Sequence, residues 1–271
     1  CPSATAAGSL VREYFMDGYY PSGAAVPGDA FTPTGALVKA VVINTCQDMT
    51  GLAGYPSNTE GWGRVNLDES LYFVSDTTKM FVVDVRKASG LTTGQTSVQT
   101  LNVNSSATPL EVTLAFHDAP GAVNASNPVV NNLDLTVTSP TSTVYKGNVF
   151  SAGWSAPGGA ADAKNNVERV AIQAPVTGQW TITITATSVP TPNQGFGLCV
   201  TGDVSTGASS NPVNYCTAGI TSNFCIPSMA AAGDAHVGAS SGFTVLATGV
   251  EGQRQGILFY GISGQNAVLW A

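Results

Sequence analysis

Charge is scarce in this sequence. Only 10% of its 271 residues are Asp, Glu, Lys or Arg, against about 25% in an average soluble protein. Ten basic and seventeen acidic residues leave a net charge of −7, so there is no electrostatic footprint for nucleic acid or anionic lipid, and neither is expected as a partner. Histidine is limited to His117 and His236. Neither stands at metal-ligand spacing from a cysteine and no CxxC pair occurs, which argues against zinc. No apolar run reaches the roughly 18 residues that cross a bilayer, so no membrane span is expected. The N-terminus lacks a basic stretch followed by an apolar one, so the signal peptide of an exported protein would lie outside this sequence.

What is present is an ordinary hydrophobic share of 43% and a surface built from Thr, Ser, Asn, Ala and Gly, a composition common among exported proteins. The length suits one large domain or two to three small ones. Five cysteines, Cys1, Cys46, Cys199, Cys216 and Cys225, read better as disulfide partners than as metal ligands. Cys216 and Cys225 would close a small loop, and Cys1 and Cys46 would meet if the first two helices pack antiparallel.

The chain changes period once. Residues 2–15 read as a helix whose small side chains let neighbours approach from every side, stopped by Asp17-Gly18. Thr32 with Pro33 predicts the cap of a second helix carrying Leu37, Val38, Val41 and Val42 on helical spacing, and residues 66–73 give one or two further helical turns. From Met80 onward the period is two. Strands are predicted at 81–85, 97–103, 110–116, 133–137, 167–172, 180–186 and 196–200, at the spacing of an antiparallel sandwich. Residues 203–212 form a Ser/Gly/Asn linker, and the tail beyond it holds strand-like 242–247 and 256–261.

Three motifs in order carry a resemblance. Cys1-Pro2-Ser3-Ala4-Thr5-Ala6-Ala7-Gly8 resembles the segment that directly follows the nucleophile of subtilases, where Gly-Thr-Ser-Met-Ala leads into a proline and a helix with an Ala-Gly pair. The stretch from Leu37 to Thr45 is similar to that family's next helix, and Asn58 to Asn66 resembles its Gly-Trp-Gly-Arg-Val closing motif. The strands around Phe116-His117-Asp118-Ala119-Pro120, Val130 to Leu135 and Asn165 to Val170 resemble the jelly-roll domain that follows the protease in alkaline, oxidation-resistant subtilases, related to the P-domain of proprotein convertases.

The resemblance implies a mainly β chain. It comprises the last helices of an α/β subtilase domain (1–75), an antiparallel jelly-roll-like β-sandwich (76–203) and a small β-rich tail (204–271). It implies secretion, a parent that hydrolyses peptide bonds by acyl transfer, and as partners an upstream catalytic half and the parent's protein or peptide substrate. On this register the catalytic serine stands three residues before Cys1, and the Asp, the His and the oxyanion Asn precede it, so this chain holds no catalytic residue and is expected to be inert alone. His117 with Asp118, or His236 with Ser240, does not make a substitute triad, and Cys1 lacks a visible base. Glu60-Gly61-Trp62-Gly63 reads as a tight turn around an indole.

Asp118, Asn132, Asp134 and Glu168 are hard oxygen donors of the kind Ca²⁺ takes, placed at strand ends or on exposed faces. A solvated polar face is the competing reading; subtilase-type sandwiches often hold calcium, so structural Ca²⁺ is the cofactor this resemblance implies. The alternative function is an extracellular carbohydrate- or protein-binding or anchoring module without catalytic activity. Trp154, Trp180 and Trp270 are too scattered in sequence to show the aromatic row such a module would use.

Overall fold

The computed structural model describes residues 2–51, 54–125, 129–206, 226, 228–232 and 244–250. The chain divides into two compact units, 1–207 and 208–271. The first begins with helix α1, Pro2–Met16, which buries Ala7, Val11, Tyr14 and Phe15. These sit at helical spacing and form one stripe. Gly18, at φ +74°, ends the helix in the left-handed conformation that glycine adopts without strain.

Helix α2, Gly35–Asn44, starts two residues later than Thr32-Pro33 predicts. Its cap is Thr34, whose side chain accepts the Leu37 N–H at 3.1 Å. The choice is made from outside the helix. Asp84, on the strand Lys79–Val85, accepts both the Thr34 N–H at 2.8 Å and the Thr34 hydroxyl at 2.5 Å, a long-range acceptor that no local pattern shows. A single turn, α3, covers Leu67–Ser70.

The strands are β1 Lys79–Val85, β2 Thr96–Val103, β3 Leu110–Ala115, β4 Asn132–Thr138, β5 Val144–Ser151, β6 Trp154–Pro157, β7 Val167–Ile172, β8 Gly178–Ser188, β9 Phe196–Gly202 and β10 Val204–Thr206. They form two antiparallel sheets, ordered β1-β9-β3-β7 and β10-β2-β8-β4-β5-β6. Leu101, Leu114, Phe116, Leu135, Trp180, Ile182, Leu198 and their neighbours fill the space between, as in a β-sandwich.

The two sheets have different surroundings, and the burial patterns show it. β8 alternates buried and half-buried residues, because its sheet has one covered and one wetted face. Every residue of β7 and β9 is buried. Their outer face is covered by α1 and α2, whose Val11, Phe15, Leu37 and Val41 pack with Ala115, Val167 and Cys199. A Cβ on Gly197 of β9 would run into the Leu37 N and Cα of α2 and lie 2.6 Å from the Ala36 carbonyl carbon, so the helix rests directly on the strand backbone. Asn44 at the other end of α2 donates to Thr201 Oγ1 at 2.8 Å.

The second unit contains β11, Ser228–Ala232, paired antiparallel with β12, Thr244–Thr248. The strand expected at 256–261, the Cys216–Cys225 loop and Cys1 lie outside the described residues.

Candidate functional sites

A cleft of about 390 Å³ opens below the C-terminal end of α2, lined among others by Cys46, Tyr55, Glu69, Glu111, Trp154 and Arg169. Arg169, 1% exposed, donates to Glu111 Oε1 at 2.6 Å and to the Tyr55 hydroxyl at 2.5 Å. Tyr55 in turn donates to the Cys46 carbonyl at 2.5 Å. Burial pushes the Glu111 carboxyl up while the Arg169 charge pulls it back. Burial alone would lower Arg169, but Glu111 and Tyr55 outweigh it and keep the guanidinium charged. This is a buried cation paired with a half-buried carboxylate on the cleft wall, and such a pair is weak evidence for stability.

Cys46 is an unbridged, buried thiol, which corrects the expected bridge to Cys1. Its Sγ–H donates to the Val42 carbonyl, and burial pushes its pKa up to about 11. Cys199 is likewise free and buried, pushed further up by the same cause.

The four oxygen donors singled out from sequence do not share one environment. Asp118 accepts the N–H groups of Ala119, Val130 and Asn131, each at 2.7 Å, and holds the entry to β4. It lines a different cleft, near His117, Arg86 and the first turn of α2. The other three are grouped. Asn132 Nδ2 donates to Asp134 Oδ1 at 2.9 Å, Thr187 donates to Asp134 Oδ2, and Glu168 Oε2 accepts the Leu135 N–H at 2.8 Å.

The expected exposure of this group is corrected: Glu168 is 0%, Asn132 8% and Asp134 9% exposed. Glu168 belongs to a strand buried on both faces, and it reaches the edge of β4 where β5 has turned away. Burial, with the Asp134 and Asp162 charges adding, pushes its carboxyl up to about 9. Glu168 Oε1 and Asn132 Oδ1 are buried without a partner, and such orphaned oxygens are costly unless a proton or cation answers them. Among the described residues no set of three or more His, Cys, Asp or Glu side chains is placed to hold a metal, so any ion here would depend on two carboxylates, an amide and backbone or water oxygens.

Two features were missed in sequence. The Arg169–Glu111–Tyr55 network joins residues 58 and 114 positions apart, and no short motif signals it. An open groove beside Trp62 and Phe150 escaped because Trp62 read as a turn residue and Phe150 lies in the unforeseen β5.

Fold and sites define an antiparallel β-sandwich with a helical layer on one sheet, and its sequence likenesses are to proteins with protease names. No family model matches the chain. It is 30% identical over 250 residues to the serine protease/ABC transporter B family protein tagD of Dictyostelium discoideum, covering 74% of this chain and 14% of that protein. It is 28% identical over 204 residues to tagA of the same organism and description, covering 73% and 11%, and 29% identical over 248 residues to tagB, covering 74% and 13%. The chain thus spans about a seventh or less of these relatives. A solved structure, a Bacillus licheniformis lipase in its propeptide form, aligns at 20% identity over 46% of this chain and 22% of its own, with a TM-score of 0.27, too low to define a shared fold.

Proposed function

We propose that this chain is the C-terminal scaffold and β-sandwich portion of a secreted subtilisin-like serine endopeptidase whose catalytic Asp, His, Ser and oxyanion Asn lie upstream. The observation that carries this reading is the two-sided character of α1. One stripe is buried, while Pro2 to Ala6 and Leu10, 54% exposed, face away from the sandwich. A helix of small residues with an open side is suited to close packing by another segment, which an upstream catalytic half would supply. The three relatives named serine protease, at about 30% identity, support the protease-related part. No helix among the described residues is long and apolar enough to cross a membrane.

The test is labelling by a serine-directed phosphonate. The 271-residue chain should take up none; co-expressed with the preceding coding segment, the assembly should be labelled on a serine upstream of Cys1 and should cleave casein. An assembly that forms but neither labels nor cleaves would end the protease reading.

Structural calcium belongs to the same proposal, now at Asn132, Asp134 and Glu168. Its support is the pair of orphaned buried oxygens, Glu168 Oε1 and Asn132 Oδ1, in a group of hard donors. Asp118 drops out because backbone N–H groups already occupy both its oxygens. A cation there would offset the carboxylate charges and favour the ionised form of Glu168.

A further inference from the structure

Between the helical layer and the sandwich runs an open groove of about 510 Å³, to which α2, the 56–62 loop, β5 and the entry to β7 all contribute. Its floor is aromatic: Trp62 and Phe150 meet edge to face, ring centroids 6.1 Å apart. Both rings are half-buried and line the groove. Its rim is made of amides, Asn58, Asn165 and Asn166, and the lining holds one cation, Lys39, and no carboxylate.

The amides are oriented from behind. Asp162 Oδ2 accepts the Asn165 Nδ2–H at 2.6 Å, which leaves Asn165 Oδ1 to accept from a ligand. Lys39 Nζ donates to Asn166 Oδ1 at 3.1 Å, which leaves Asn166 Nδ2 to donate. Two consecutive residues therefore offer one acceptor and one donor beside an aromatic corner whose rings are inclined at 66°, and exposed Asn58 adds both kinds of group.

We infer that this groove binds a neutral glycan, a sugar ring seated in the apolar corner between Trp62 and Phe150 and its vicinal hydroxyls paired with Asn165 and Asn166. A hydroxyl both gives and accepts, so neighbouring hydroxyls answer an oriented donor–acceptor pair. An extended peptide is disfavoured because the nearby strand edge is already taken: Asn148 Nδ2 donates to the Val167 carbonyl at 2.8 Å and Asn148 Oδ1 accepts the Arg169 N–H at 2.9 Å. That leaves those main-chain groups unable to add a strand. A polyanion is disfavoured by the single lysine. The inference goes beyond the protease-scaffold reading and does not need it.

The test is native electrophoresis of the full chain through gels containing laminarin, hydroxyethyl cellulose, galactomannan or glycogen. Retardation is expected in at least one gel, weakened at least tenfold in apparent affinity by the Asn165→Ala/Asn166→Ala double variant and by Phe150→Ala. Asn58→Ala, on an exposed loop without a side-chain partner, should also weaken binding while leaving the melting temperature unchanged. Equal mobility in all four gels, or retardation that survives both Asn58→Ala and the double variant, overturns the inference. Phosphonate labelling is indifferent to these substitutions, so failure here and failure of the protease reading are told apart.

Discussion

The side chain of Asn148 does the work of a neighbouring strand for Arg169: its Oδ1 accepts the Arg169 N–H at 2.9 Å while its Nδ2 donates to the Val167 carbonyl at 2.8 Å. Asn148 sits at φ +61°, a left-handed conformation that asparagine tolerates better than most residues. The free edge of β7 is closed further by Ser155 Oγ, which accepts the Ala171 N–H at 2.9 Å. Replacing Asn148 by Leu removes both bonds, together with the one Nδ2 donates to Asp162 Oδ2 at 2.6 Å, and places an ill-suited residue at positive φ. A loss of about 2–4 kcal/mol is expected from urea denaturation; a change below about 0.5 kcal/mol would show the edge is held otherwise.

Arg169 and Glu111 form a pair in which each partner alone is a liability. Arg169→Met should cost about 2–4 kcal/mol, because the half-buried Glu111 carboxylate and the Tyr55 hydroxyl lose their partner. Arg169→Met with Glu111→Leu should recover most of it. A double variant no more stable than Arg169→Met would show that the guanidinium matters mainly through Tyr55.

The Glu168 carboxyl, raised from 4.5 to about 9, holds its proton in the folded chain where the unfolded chain has lost it. The folded state then binds more protons between pH 4.5 and 9, so in metal-free buffer stability falls as pH rises through that window, by up to about 1.4 kcal/mol per pH unit. Glu168→Gln should flatten this slope. Millimolar calcium should do the same for the native chain if the ion is held there, raising the melting temperature most at high pH. An identical slope for Glu168→Gln, and no shift with calcium against chelator, would assign the pH dependence elsewhere.

Cys46 and Cys199 are free and buried. With the Cys46 thiol pushed up to about 11, neither should react with an aromatic disulfide reagent at pH 8 in the native chain, and both should react in denaturant. Rapid native labelling of Cys46 would contradict its placement.

Gly197 has no room for a methyl group. Gly197→Ala puts a Cβ within 2.6 Å of the Ala36 carbonyl carbon, so α2 must lift off β9. A loss of about 1–3 kcal/mol is expected, read from the urea midpoint with Gly28→Ala as the control, since a Cβ on Gly28 would meet nothing within 4 Å.

Period-two strands such as β2, β4 and β8 were legible because Leu101, Leu135 and Ile182 alternate with polar residues on a sheet with one wetted face. β5 was not. Lys146, Gly147 and Asn148 break the alternation, since Gly147 makes room for Glu168, whose Cβ would lie 2.6 Å from any Cβ placed there, and Asn148 serves β7. The cap of α2 was misplaced by two residues because Asp84, 50 positions away, selects Thr34. Asn132, Asp134 and Glu168 were singled out with Asp118 as oxygen donors, but the burial of these three depends on strand pairs no local pattern specifies. Asp118 resembled them only in chemistry.

Helix α2 is fastened at both ends: Thr34 to Asp84 of β1, and Asn44 to Thr201 of β9, with Gly197 of β9 bare beneath it. In mechanical terms it acts as a splint across two adjacent strands. A pull on the end of β9 must shear the helix together with the sheet, since the contacts run along the strand and break in parallel rather than one at a time. Load entering by that strand is therefore carried into the helical layer with no compliant segment between, so the layer and the sandwich should yield as one body under force.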